Sequence, residues 1–295
     1  MIPSGFFPVS SAVFLLAACA GTPAPRASAP GYTGPPVAAM TWNIRIGAGP
    51  EGPLKPGTTA NLRAIAAAIV EEGADVVLLQ EVDRNSARTA RTDQLALLGE
   101  ATGMHTAWAP AIETDAMAYG IGLLSRWPIG STEVVRLPFV DYAPLNKDIP
   151  AYYGEPRVAL VARLEGMPVT IINTHLGLTK EQRLAQIEVL TRLAIAEESA
   201  GRAVILGGDL NAEPDAPELL PLRAALRDVY HGHTDKWGLE HDLSVRDRLT
   251  FPALKPDRCI DFLFLSRDVF TLESVTIPQR PLSDHLPVMA RLAGR

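Results

Sequence analysis

A set of carboxylates, carboxamides and imidazoles stands at or beside the ends of apolar runs. Asn43 closes "MTWN", Glu81 closes "DVVLLQE", His175 closes "VTIINTH", and Asp209 and Asn211 follow "AVIL" in "AVILGGDLN". Nearer the C-terminus, Asp261 lies in "CIDFLFLS", and Asp284 and His285 come just before "LPVMARLA". With no Ser or Cys nucleophile elbow beside them, these residue types point to a hard, oxygen-liganded cation such as Mg²⁺ or Mn²⁺. Glu81, with Asn43 and Asp284, could hold such an ion. Hydrolysis of a phosphate ester also needs an aligned water, charge relief for the phosphoryl oxygens and a nearby base or acid. Asp209, oriented by Asn211, suits the water, and His175 and His285 suit the phosphoryl oxygens. Taken singly, most of these residues have plainer explanations: a strand-end turn for Asn43, a solvated charge for Glu81, a capped turn for Asp209 with Asn211. Asp261 does not, because a carboxylate within an apolar strand needs a partner.

The elements that must carry these groups alternate between strand and helix. Strands are expected in "VAAMTWNIRI", "ADVVLLQE", "YGIGLLSRWPI", "RVALVARLE", "VTIINTHLG", "RAVILGGDLN", "CIDFLFLS", "LESVTIP" and "LPVMARLA". In "TTANLRAIAAAIVEEG", Leu62, Ile65, Ala66, Ile69 and Val70 share a helical face, with Thr58 or Thr59 to cap and Gly73 to stop. "TKEQRLAQIEVLTRLAIAEESAG" opens with Thr179 and Gln182 at capping-box spacing and closes at Gly201. "HGHTDKWGLEHDLSVRDRLT" reads as a long polar loop. About ten strands against three or four helices is too strand-rich for one doubly wound sheet, so two packed sheets flanked by helices are expected.

The series "TWNIRIG", "LLQEVD", "LLSRWPI", "INTHLG", "GGDLNAEP", "CIDFLFLS" and "SDHLPV" resembles the endonuclease/exonuclease/phosphatase superfamily, the DNase-I-like fold, in family order from Met40 to the C-terminus. The resemblance implies a four-layer α/β sandwich of two mixed sheets and a divalent-metal-dependent phosphoesterase. It implies metal-site roles for Asn43 and Glu81, with Asp284 in or beside the metal shell. Asp209 would be the base or water-orienting residue, Asn211 its partner, and Asp261 would orient His285. His175 resembles the DNase-I, sphingomyelinase and deadenylase branches. Arg157 in "GEPRVAL" matches a substrate-binding arginine position more loosely, and Ile121 stands where many relatives have an asparagine.

Residues 1–18 contain no Lys, Arg, Asp or Glu, and "LAAC" resembles the bacterial lipoprotein signal, with Cys19 the lipidated residue. Residues 19–37 would then be a Pro/Gly-rich tether and 38–295 the catalytic domain, held at the cell envelope on the outer membrane. A formal charge of −6 lowers the expectation of a basic nucleic-acid surface. Lipid or small-metabolite phosphates are therefore the expected substrates, on a monomer anchored in the membrane. The alternatives are a secreted or envelope nuclease and a non-catalytic envelope binding protein on the same fold. His231, His233 and His241 lack firm zinc spacing and read as a solvated or substrate-facing loop. Cys259 reads as a small core residue beside Asp261.

Overall fold

Apolar runs covered on both faces become central strands here, and two of them are joined by a helix in each half of the chain. The computed structural model describes residues 32–51, 57–139, 154–231, 233–234, 240–241 and 243–294. In chain order the elements are β1 (Val37–Asn43), α1 (Thr59–Glu72), β2 (Val76–Arg84), α2 (Gln94–Thr102), β3 (His105–Glu113), β4 (Ala118–Ser125), β5 (Ile129–Arg136), β6 (Val158–Leu164) and β7 (Val169–His175). There follow α3 (Lys180–Ser199), β8 (Ala203–Asp209), α4 (Leu220–Ala225), β9 (Arg227–Asp228), β10 (His233–Thr234), β11 (Glu240–His241), β12 (Asp261–Leu265), β13 (Phe270–Thr276) and β14 (Val288–Gly294).

Two six-stranded mixed sheets result, in the orders β13-β14-β1-β2-β4-β3 and β5-β6-β7-β8-β12-β9, beside a short β10-β11 pair. Each contains one parallel pair, β1 with β2 across α1 and β7 with β8 across α3. Val76, Leu78, Ile121 and Leu123 join the core that includes the second sheet. Val77, Leu79 and Leu124 pack with Leu62, Ile65 and Ile69 of α1 in a separate cluster. Alternation along β2 and β4 thus gives the first sheet one face for its helices and one for the other sheet. Ile187, Leu190 and Ala194 of α3 cover the second sheet. The layers are helix, sheet, sheet, helix, as expected.

Both main helices begin and end as the sequence predicts. Thr58 Oγ1 accepts the Asn61 N–H and Gly73 closes α1 in the left-handed region. Thr179 Oγ1 accepts the Gln182 N–H at the start of α3. Val70 departs from the expected buried face: it is 57% exposed in the last turn of α1.

Other departures lie where the pattern is weaker. "YGIGLLSRWPI" is two strands in different sheets, β4 and β5, because the chain turns at Arg126–Pro128. The Ser125 hydroxyl bonds Trp127 on both its N–H and its C=O there. α2 and β3 were not expected. Of the polar loop, the described residues include the β10-β11 pair and a 3₁₀ turn, Val245–Arg248. Tyr32, within the stretch expected as tether, is part of the packed body. Tyr32 is buried, donates its N–H to Val269 O at 3.2 Å and its hydroxyl to Pro35 O at 2.7 Å, and packs on Phe270. Cys19 and the signal-like residues lie outside the described residues.

Topology brings the strand-end residues to one pole. The parallel pairs place Asn43 opposite Gln80 and His175 opposite Asp209. β12 runs antiparallel to β8 with Asp261 opposite Asp209, and β14 runs antiparallel to β1, so the segment before it returns beside Asn43. Tyr32 sits at the other pole, beside the start of β1 and the end of β14.

Candidate active site

Glycines explain how three strands come so close around Asp209. Gly208 has φ +145°, and a Cβ there would lie 1.9 Å from Thr174 O. A Cβ on Gly207 would lie 2.6 Å from Phe262 O. Larger residues would push β7 and β12 away from β8, and with them His175 and Asp261.

Glu81 is presented by a β-bulge. Pairing between β2 and β4 slips between Leu79 and Val82, and Glu81 takes φ +53°. Such a conformation costs a non-glycine residue on the order of 1–3 kcal/mol, so the surroundings must impose it. Asn173 of β7 does so across the sheet interface. Its Nδ2 donates to Leu79 O at 3.0 Å and Gly122 O at 2.8 Å, and its Oδ1 accepts from Gln80 Nε2 at 2.8 Å. Gln80 in turn donates to Thr41 Oγ1 at 3.1 Å. All of these side chains are buried. Gln80 and Asn173 are supports not expected from the sequence, although they stand in "LLQE" and "INTH"; an amide inside a buried strand is the signal that marks them.

Asn43 links the two acidic centres. Its Nδ2 lies 3.0 Å from Glu81 Oε1 and 3.1 Å from Asp209 Oδ2, while its Oδ1 accepts the Arg45 N–H at 3.0 Å. The partners fix the orientation of this amide, because carboxylates only accept and a backbone N–H only donates. Asn43 thus offers a cation only the second lone pair of Oδ1. Arg45 Nε lies 3.2 Å from Asp284 Oδ2. Burial, and then the Asp284 carboxylate, push the Glu81 carboxyl up, although the Asn43 bond opposes them. A buried carboxyl pushed toward its neutral form, with a second carboxylate bearing on it, suits a divalent cation with oxygen ligands.

His285 belongs to a different arrangement. Its Nδ1 lies 2.9 Å from Asp261 Oδ2 and its Nε2 3.6 Å from Asp209 Oδ2. Burial alone would favour neutral imidazole, but the Asp261 and Asp209 carboxylates overcome it and raise the pKa to about 10. Trp42 Nε1 donates to His285 O at 2.9 Å, and the Phe251 ring packs on the imidazole at 4.6 Å between centres, tilted by 53°. The ligand atoms of Asp209, Asp261 and His285 all lie within 4.8 Å of one another, close enough to share an ion. The raised pKa favours the imidazolium, which has no lone pair to give, so an ion shared there would have to displace the His285 proton.

His175 has the opposite charge state. Burial, and then Arg157, hold its pKa well below the usual histidine value. Arg157 Nη1 lies 3.2 Å from Nδ1, and a guanidinium can only donate, so the ring proton is on Nε2. That nitrogen lies 3.5 Å from Asp209 Oδ2. The contact therefore joins a neutral imidazole to the carboxylate and is no ion pair. Arg157 also lies 3.2 Å from Glu155. Asp209 itself is pushed up to about 7 by burial, against the pull of His285. Its Oδ1 accepts the Asn211 N–H at 2.9 Å; the Asn211 amide donates instead to Leu176 O at 3.0 Å. Asn211 thus supports Asp209 through its backbone.

These residues line a cleft of about 550 Å³, together with Arg88, Tyr119, Phe251 and Arg258. Glu81, Arg157, His175, Asp209, Asn211, Asp284 and His285 all reach it. Asn43 and Asp261 stand behind that lining. Ile121 is buried between the sheets, so it takes no part in the cleft wall. Among the described residues, Asp209, Asp261 and His285 are the only group of three or more His, Cys, Asp or Glu side chains whose ligand atoms lie within 4.8 Å of one another, and His231 contacts Asp228. Cys259 is buried, as expected.

A pair of mixed sheets with an acid–imidazole cluster across its strand ends defines a phosphoesterase of the two-sheet sandwich class. The chain belongs to the endonuclease/exonuclease/phosphatase family, whose sequence model matches residues 40–285. Its fold is similar to a protein of that family from Beutenbergia cavernae, with TM-score 0.61, 22% identity, and coverage of 88% of this chain and 72% of the other. It is also similar to the mannosyl-6-phosphatase Bt3783 of Bacteroides thetaiotaomicron, with TM-score 0.64, 16% identity, and coverage of 87% and 99%. The human Nocturnin catalytic domain with bound sulfate gives TM-score 0.62, 19% identity, and coverage of 88% and 94%.

Proposed function

We propose that this chain hydrolyses phosphomonoesters or phosphodiesters of lipids or small metabolites with the aid of Mg²⁺ or Mn²⁺. We also place it at the bacterial envelope, lipidated on Cys19 and held to the outer membrane as a monomer. The observation that carries the catalytic reading is Asp209, flanked by a neutral His175 and a cationic His285 and joined through Asn43 to Glu81. An ion held by Glu81 and Asp284, with Asn43 beside it, would polarise the phosphoryl group and ease the charge developing on the leaving oxygen. Asp209 aligns the attacking water and accepts its proton. His285, held by Asp261, donates from Nε2 to a phosphoryl oxygen, and His175 donates from Nε2 without adding charge. Arg157 Nε, buried and without a partner among the described residues, offers a further donor to a bound anion.

A small cleft and a net charge of −6 favour compact esters over long nucleic acids. The mannosyl-6-phosphatase of similar fold is a precedent for a small phosphate ester. Bis-p-nitrophenyl phosphate and p-nitrophenyl phosphate, each with Mg²⁺ and with chelator, separate diesterase from monoesterase and enzyme from binding protein. A panel of sphingomyelin, phosphoinositides, nucleotides, RNA and DNA then names the substrate. Metal-independent binding with no turnover of any of these would refute the reading, and a strong preference for polynucleotides would replace it with the nuclease.

A further inference from the structure

Arg88 is built into the cleft wall in a way that the proposed reaction at Asp209 does not use. Its Nε and Nη2 each donate at 2.7 Å to the two oxygens of Asp83, a side chain with no exposure. Thr89 Oγ1 steadies the same carboxylate at 3.3 Å. The guanidinium carbon lies 5.2 Å from the centre of the Tyr119 ring, so the side chain is gripped from its edge and its face. Nη1 takes part in none of these hydrogen bonds. A guanidinium with its rotamer already fixed loses little entropy on accepting a ligand, which makes it a preorganised anion receptor. It lines the cleft with Glu81 of β2 and Tyr119 of β4, in the first sheet, whereas Asp209 comes from β8 of the second.

We propose that Arg88 forms a second anion subsite, so that the preferred substrates are phosphate esters carrying a further phosphate or carboxylate near the reacting group. This rests on the phosphoesterase reading and narrows its substrate class. Any ester lacking the second anion leaves Nη1 unused.

The test is calorimetric binding of three non-hydrolysable probes to the Mg²⁺-loaded protein: propylphosphonate, 1,3-propanediphosphonate and 3-phosphonopropanoate. At least one dianion should bind tenfold or more tightly than propylphosphonate, and which one identifies the second group as phosphate or carboxylate. In Arg88→Gln that ratio should fall to about one. Because Arg88→Gln leaves the buried Asp83 without its cationic partner, the double variant D83N/R88Q is measured alongside, with thermal melting as the folding control, and should show the same loss. A wild-type ratio near one overturns the subsite, as does a ratio that survives in a folded variant. Equal weakening of all three probes also overturns it, since Arg88 would then serve the reacting phosphoryl group. If esters are hydrolysed while the ratio is near one, only the subsite fails; if no ester is hydrolysed and no probe binds, the phosphoesterase reading fails with it.

Discussion

Asp209 and Asp261 face each other as cross-strand partners in the β8–β12 ladder, and both carboxylates reach the same imidazole, that of His285. Like charges in that position repel, so the ladder is favourable there only with a cation between them. His285 supplies it, and the arrangement is electrostatically closed only while that ring holds its second proton.

Asp261→Asn should therefore lower the rate by roughly 10- to 100-fold, in the range typical of a lost orienting partner. It should also move the alkaline limb of the pH–rate profile, expected near pH 10, downward. The sign for stability follows from the same shift. A histidine pKa raised from 6.5 gives stabilisation that is complete below about 6.5 and is lost as pH rises through about 10. Melting temperatures measured across that window should fall with pH in the wild type and stay flatter in Asp261→Asn. An unchanged profile in the variant would remove the dyad from the mechanism.

Glu81→Gln and Asp209→Asn should fail in different ways. The first removes an anionic ligand, so it should weaken Mg²⁺ binding and recover activity in excess metal. The second keeps the shape but loses the acceptor for the water proton, so it should slow turnover at least ~100-fold without rescue. Activity titrated with metal, beside calorimetric metal binding, distinguishes the two. Near-normal turnover in Asp209→Asn would reduce "GGDLN" to a turn.

Asn173→Ala should act on Glu81 from a distance. It strands the buried carbonyls of Leu79 and Gly122, and each unmet acceptor costs about 1–3 kcal/mol. Beyond the fall in melting temperature, release of the bulge should weaken metal affinity and shift the Mg²⁺ activation curve to higher concentration. A destabilised variant with an unmoved activation curve would limit Asn173 to packing.

Cys19→Ala should release the protein from membranes. Tyr32, the first described residue, lies at the pole opposite the cleft, so loss of the anchor should leave kcat on a soluble ester unchanged. Fractionation and mass spectrometry of the N-terminus check this; a wild-type protein with an unmodified Cys19 in the soluble fraction would refute the anchor.

The sequence by itself determined which groups meet. Asn43, Glu81, His175 and Asp209 each end an apolar run, and a buried strand can release a polar side chain only where it leaves the core. Thr58, Gly73 and Thr179 likewise fixed helix limits, because caps act within one turn. β3, whose buried alanines alternate with the half-buried Trp108, Pro110 and Ile112, and the switch of sheets between β4 and β5 were not legible, since the first has apolar residues on both faces and the second leaves no local periodicity. Tertiary structure alone decided the bulge that presents Glu81, the opposite charge states of His175 and His285, and the grip on Arg88. Two histidines of the same intrinsic pKa diverge because Arg157 faces one and Asp261 the other. Each of those partners stands at least 18 residues away in the chain, so only the folded sheets bring them into contact.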